Sequence, residues 1–272
     1  MITSQQAALA ALTVLLFGLG AGVYARVIAR LRRTGGEVRA GCFDLPDLLV
    51  SAVLAMTFVG LLFRAVMAHG SDAPLKPEHV LPSSLMFAVF VIGVCVFLAY
   101  RGLRVTEVVG LARLGAAPVC GWAALLLLGA LPFVGVVNAV TVLLLKNAAE
   151  QQPLAELFRE AAQHGDVSTM MKIVAAGVII APLCEEFLFR GYFYGVGKRY
   201  AGAWISGLFT AALFAAFHAS LTSLAGLFVL AIALTLAYER TGTLAVPITM
   251  HALFNATSLG VLYLQATRRL PI

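Results

Sequence analysis

Eight apolar runs, strung along nearly the whole chain, constrain its fold more than any other feature. They are 7–25, Leu48–Phe63, Ser84–Tyr100, Pro118–Leu145, a run starting near Met170, Ala203–His218, Leu221–Tyr238 and Pro247–Leu264. A hydrocarbon core about 30 Å thick is crossed by roughly 20 apolar residues in a helix. Lipid-facing backbone can satisfy its N–H and C=O groups there only within a helix or a closed barrel. Runs of this length and uniformity, without polar–apolar alternation, specify helices. The expected fold is all-α, a polytopic transmembrane helical bundle of about eight spans. Composition agrees, with 61% hydrophobic and 12% charged residues and a mean hydropathy of +0.95, against about 45–50% and about 25% in soluble domains.

The formal net charge of +6 does not point to nucleic acid, because the basic residues punctuate the ends of apolar runs and form no basic domain. The first run has no basic residue before it and Arg26, Arg30, Arg32, Arg33 and Arg39 after it. A cleaved signal peptide has the opposite order, so a retained first span with an external N-terminus is expected. Eight spans then put Arg26–Arg39, Arg101–Arg113, Lys198, Arg199 and Arg240 on the cytoplasmic side. Lys76, Lys146, Arg159, Arg268 and Arg269 fall on the other, together with a Pro-rich loop over His69–His79. Lys198 and Arg199 at the end of the fifth span suggest a site that opens toward the cytoplasm. Pro132 and Gly135 are expected to interrupt the fourth span, and Pro182 to kink the fifth. The polar insert Lys146–Asp166 holds a short amphipathic helix, placed either on the outer membrane surface or in a solvated loop. Cys42, Cys95, Cys120 and Cys184 lack C-x-x-C spacing and read as free thiols. One integral membrane domain, 1–272, is expected.

Within the fifth run stands Cys184-Glu-Glu-Phe-Leu-Phe-Arg-Gly191. An ionisable residue at bilayer depth costs roughly 2.5–3.5 kcal/mol on insertion scales, which makes it a functional candidate. Glu186 and Arg190 are four apart, share a helix face and can pair. Glu185 points about 100° away. One glutamate is neutralised and the other is available. Two later runs carry His218, in Phe214-Ala-Ala-Phe-His218, and His251 with Asn255, in His251-Ala-Leu-Phe-Asn255. A lone intramembrane histidine or asparagine is ordinarily an interhelical hydrogen-bond residue. Here the polar residues of three late spans converge, whereas the first 145 residues hold no comparable cluster.

Two chemistries fit that set. A carboxylate and a neutral imidazole can deprotonate water, while a second imidazole and an amide donate to a developing oxyanion. Alternatively, Glu185, His218 and His251 are the ligand types of a catalytic zinc, although no H-E-x-x-H pair is present.

The motifs E-E-x-x-x-R, F-x-x-x-H and H-x-x-x-N, in this order on successive late helices, resemble the CAAX-protease and bacteriocin-processing (CPBP, or Abi) family of intramembrane proteases. The likeness is to its CAAX prenyl protease 2 type. It covers about Ile173–Leu262, within an expected catalytic core of 170–265, and leaves 1–169 as accessory spans. The resemblance implies that Glu185 is the general base acting with His218, and that His251 and Asn255 form the oxyanion site. Glu186 and Arg190 would be a structural pair, and Phe214 would pack beside the site. It also implies hydrolysis of a peptide bond in a membrane-associated protein or peptide, with no cofactor favoured and zinc as the alternative.

Two other classes would use the same polar residues: a transporter and a non-catalytic immunity protein. A transporter would show two related halves, whereas the polar residues here occupy one. The expected setting is a prokaryotic cell (inner) membrane, with the lipid bilayer and a peptide substrate as partners and no nucleic acid.

Overall fold

The computed structural model describes residues 4–67, 76–145 and 153–267. Lys146, the Arg268–Arg269 pair and most of the expected loop 69–79 lie outside the described residues. Among the described residues all regular structure is helical. The elements are α1 (Ser4–Thr34), α2 (Leu45–Met67), α3 (Pro77–Tyr100), a single turn α4 (Val105–Val108), α5 (Ala116–Leu145) and α6 (Pro153–His164). There follow α7 (Val167–Val174), α8 (Ala181–Glu186), α9 (Gly195–Phe217), α10 (Leu221–Thr241) and α11 (Ala245–Ala266). Two π-helical stretches, Ala175–Ile180 and Phe187–Tyr194, flank α8.

Among the described residues seven helical runs are long and apolar enough to cross a membrane, one fewer than expected. The difference lies in Val167–Phe217, one run of 51 residues. At 1.5 Å per residue it would extend about 75 Å, more than twice a bilayer core. It reverses at Gly202, whose φ of 79° lies in the left-handed region where a side chain is strained. Contacts then pair residues stepping outward from that turn. A Cβ on Gly197 would meet Ser206 Oγ at 2.8 Å, and one on Gly207 would touch the Tyr194 ring. Farther out, the Phe189 and Phe214 rings stand edge to face, centroids 5.2 Å apart. The run is an antiparallel helical hairpin and holds both the fifth and the sixth expected spans.

The loops after α1, α4 and α10 and the hairpin turn meet at one end of the bundle. Lys198 Nζ donates to the Gly35 and Val38 carbonyls, both at 2.9 Å, and to Glu239 Oε1 at 2.6 Å. Arg113 donates to the Glu37 carbonyl at 3.0 Å, and Leu244 N–H to Val109 O at 3.0 Å. The basic loops assigned to the cytoplasmic side are therefore together in space, at what we call the basic end.

Prolines act less disruptively than expected. Helix α5 runs unbroken through Pro132 and Gly135, since a proline removes one hydrogen bond that neighbouring groups in a bundle can replace. Pro182 follows the π-helical Ala175–Ile180, where the Ala181 N–H reaches back to Ala176 O. Helix α6 is amphipathic, as its sequence indicates, but Leu157, Phe158, Ala161 and Ala162 are buried. Its apolar face packs on protein, beside Ile173, Leu259 and Leu262, and not on lipid or water.

Candidate active site

The hairpin register brings two of the candidates together. Glu185, midway along the first arm, lies opposite His218, just past the end of the second, with Glu185 Oε2 4.0 Å from His218 Nε2. The adjacent Glu186 turns inward. The one-residue step of about 100° sends Glu185 to a cavity and Glu186 to the core, where it is 0% exposed and Arg190 only 1%.

In the core, Arg190 Nη1 donates to Glu186 Oε1 at 2.9 Å and Nη2 to the Ala231 carbonyl at 3.2 Å. The guanidinium lies 4.4 Å from the centroid of the Phe214 ring. Phe214, fully buried, also meets the His218 and His251 rings, centroids 4.8 and 5.7 Å away. It is the packing centre beneath the site.

His251 Nδ1 is 2.9 Å from the same Glu186 oxygen. That oxygen already accepts from Arg190, and a carboxylate offers only acceptors. Nδ1 therefore carries the hydrogen and donates, leaving Nε2 for the cavity that His251 lines. His218 is fixed in the same way. Its Nδ1 is 2.8 Å from Phe214 O, a carbonyl that can only accept, so Nδ1 donates. In the neutral ring Nε2 is then an acceptor.

Glu185 Oε2 is buried and has no hydrogen-bond partner among the described residues. Facing it is an imidazole nitrogen that is also an acceptor. Two acceptors 4.0 Å apart do not bond to each other, and a molecule with two donor hydrogens, such as water, satisfies both.

Asn255 is occupied differently. Its Nδ2 donates to Gly177 O at 2.7 Å. In the π register Gly177 O would accept from residue 182, but Pro182 has no N–H. The asparagine supplies the missing donor, keeping its other N–H and its carbonyl for the cavity it lines.

The cavity has a volume of about 640 Å³, within the range of ligand sites. It runs along α11 from His251 to Gln265 and along α5 from Val134 to Val142, with Leu154 and Ala155 of α6 in its wall. Helices α5 and α11 both start at the basic end, so the cavity extends away from it. Lys198 and Arg199, from which a cytoplasmic-side opening is expected, sit at the opposite end of the hairpin from Glu185.

Among the described residues no three His, Cys, Asp or Glu side chains converge at metal-holding distance, while the bond from His251 Nδ1 to Glu186 leaves Nε2 open. The four cysteines are free thiols.

Sequence reasoning passed over Asn138. It stands alone in an apolar run of α5, yet lines the same cavity as Glu185, His218 and His251. Its signal was the one that singled out Asn255, an amide at bilayer depth, but it lacked a motif around it.

The family model of the type II CAAX prenyl endopeptidase Rce1-like proteins matches residues 167–257. An uncharacterized 24.3 kDa protein of Escherichia coli is 35% identical over 176 residues, which cover 62% of this chain and 74% of that protein. No solved structure matches the chain. The matched stretch contains Glu185, Glu186, Arg190, His218, His251 and Asn255, while Asn138 lies outside it.

Proposed function

Since this chain belongs to the CPBP, or CAAX-protease, family, with an Rce1-like type II CAAX prenyl endopeptidase domain over 167–257, we propose that it hydrolyses a peptide bond by glutamate-activated water. Its substrate is a membrane-associated protein or peptide, and its setting a prokaryotic cell membrane. The observation carrying this reading is the pair of acceptors, Glu185 Oε2 without a partner and His218 Nε2 4.0 Å away, at the wall of the cavity.

Water held between them attacks the scissile carbonyl carbon, and its proton passes to Glu185. The carbonyl oxygen becomes an oxyanion. His251 serves it as an imidazolium: Nδ1–H stays on Glu186 and Nε2–H points to the oxyanion, which a neutral ring with this tautomer cannot do. The uncommitted N–H of Asn255 is the second donor. Collapse breaks the C–N bond, and Glu185 returns the proton to the leaving amine. Glu186 and Arg190 touch no substrate and act by holding His251.

Turnover of a quenched, lipid-anchored peptide library by the purified protein tests this, with wild type and Glu185→Gln each assayed with and without chelator. The expected result is cleavage by wild type that persists in chelator and falls by at least about a hundredfold in the variant. Glu185→Gln turning over like wild type refutes the base. Loss in chelator, with stoichiometric zinc in the untreated protein, establishes the metal-dependent mechanism instead.

A further inference from the structure

Asn138 presents an unsolved polar problem at the cavity wall. Its Oδ1 is buried with no hydrogen-bond partner among the described residues. It stands on α5, where its neighbours Val134 and Val142, one turn to either side, are apolar and line the same cavity. A leucine there would pack without leaving a polar atom unpaired, at a depth where such an atom costs free energy.

Across from it, Gly226 of α10 leaves room for the carboxamide and nothing more. A Cβ at 226 would overlap Asn138 Oδ1 and approach its Cγ to 2.6 Å. The pair behaves as a fitted knob and hole, yet the hole offers no donor. The amide is positioned by sterics with Oδ1 against Gly226, and no donor among the described residues satisfies that oxygen.

What enters under the reading above is a peptide. An extended peptide in a poorly hydrated cavity must find partners for its own main-chain N–H and C=O groups. The catalytic residues supply donors for one carbonyl only. A primary carboxamide is matched to the rest, being a planar acceptor and donor side by side that can face a peptide group edge to edge.

We propose that Asn138 is a substrate-binding residue whose carboxamide pairs with the main chain of the peptide lying along α5, adjoining the scissile bond. The inference rests on the protease reading and extends its site into the accessory half of the chain. It makes recognition at that position depend on the peptide backbone and not on a side chain.

The test uses the peptide that wild type cleaves fastest from the quenched library, together with a series in which each main-chain N–H near the cleavage site is replaced in turn by an ester oxygen. Asn138→Leu should raise KM about tenfold, the loss of one to two hydrogen bonds, with a much smaller change in kcat. One ester position should weaken wild type severalfold and leave Asn138→Leu unaffected. Gly226→Ala, by crowding the amide, should reproduce the KM increase in wild type and have no effect in an Asn138→Ala background. This cycle keeps the test open should Asn138→Leu fold poorly. An unchanged KM in Asn138→Leu, or an identical ester pattern in wild type and variant, overturns the inference while the protease reading stands. A wild type that cleaves no peptide removes both.

Discussion

Replacing Arg190 with methionine isolates the worth of the buried charge pair. Methionine keeps an unbranched stem over the Phe214 ring, where the guanidinium now lies 4.4 Å from the centroid, so packing is largely retained. The Ala231 carbonyl keeps a second donor, Thr235 Oγ1 at 3.0 Å. What changes is Glu186: fully buried, its Oε2 already without a partner, it loses the cation at 2.9 Å. Removing one member of a buried ion pair costs about 3–5 kcal/mol because the other is left uncompensated. For a chain of this size that corresponds to a fall in Tm of roughly 6–20 °C. Thermal unfolding in detergent measures it. The double variant Glu186→Gln with Arg190→Met carries no buried charge, and should return most of the lost Tm, since neutral replacements of buried pairs are often tolerated. Turnover should not return with it, because His251 loses the carboxylate that holds its Nδ1–H. An Arg190→Met protein melting within 2 °C of wild type, by the scale above, would refute the pairing argument.

Asn255→Leu should lower stability by about 1–3 kcal/mol, the cost of an unsatisfied carbonyl at Gly177, and Pro182→Ala in the same chain should return part of it by restoring an N–H. Equal effects with and without Pro182→Ala in melting experiments count against that account. A cysteine at Gln265 should react with a membrane-impermeant maleimide only from outside, and one at Arg199 only from inside, in a background lacking the four native cysteines; the reverse pattern would invert the assigned topology. Gly20→Leu should separate α1 from α5, because even a Cβ at 20 would fall on the Gly129 carbonyl, and a variant melting like wild type would contradict this close helix contact. Asp166 caps α7, accepting from Thr169 Oγ1 at 2.6 Å and Thr169 N–H at 3.1 Å, and these bonds hold its carboxyl below the usual range. A depressed folded value stabilises the fold above the unfolded pKa of about 3.9 and loses that effect as pH falls. The difference in Tm between wild type and Asp166→Ala should therefore shrink on acidification, and a difference that grows would reverse the sign.

The spans were legible because lipid leaves few choices for a run such as Leu221–Tyr238, and the gathering of the basic loops at one end of the bundle could be read from their alternation with those spans. The hairpin was legible too, as two apolar runs separated by Lys198–Gly202, but its register was not. That Glu185 meets His218 depends on where Gly202 turns and on how the Phe189 and Phe214 rings interlock, neither of which a spacing rule contains. The Glu186–Arg190 contact could be read from an interval of four. That His251 shares the same carboxylate oxygen could not, since it joins residues 65 apart. Asn255 and Asn138 mark the other limit. Both are amides in apolar runs, and only the geometry shows one tied to the carbonyl that Pro182 leaves open and the other facing a cavity without a partner. The π-helical stretches around α8 also have no simple sequence period, although such irregularities recur at functional sites.

The adjacent glutamates gain distinct chemical roles from a single step along one helix. Glu186 enters a buried network in which its Oε1 accepts from Arg190 and from His251 Nδ1, while Arg190 also donates to Ala231 O. That network cannot move without breaking a buried pair, so it fixes the plane and tautomer of His251 and presents Nε2 to the cavity. Glu185 has the opposite surroundings. It faces the cavity with an unsatisfied oxygen, and its nearest basic group, His218, is prevented from donating to it by the Phe214 carbonyl. On the proposed mechanism, exchanging the surroundings would disable both glutamates, because a paired Glu185 could not take a proton from water and an outward Glu186 could not hold the His251 ring. The proposed mechanism thus rests on keeping two neighbouring carboxylates unequal, and the helical step of about 100° between adjacent residues is what separates them.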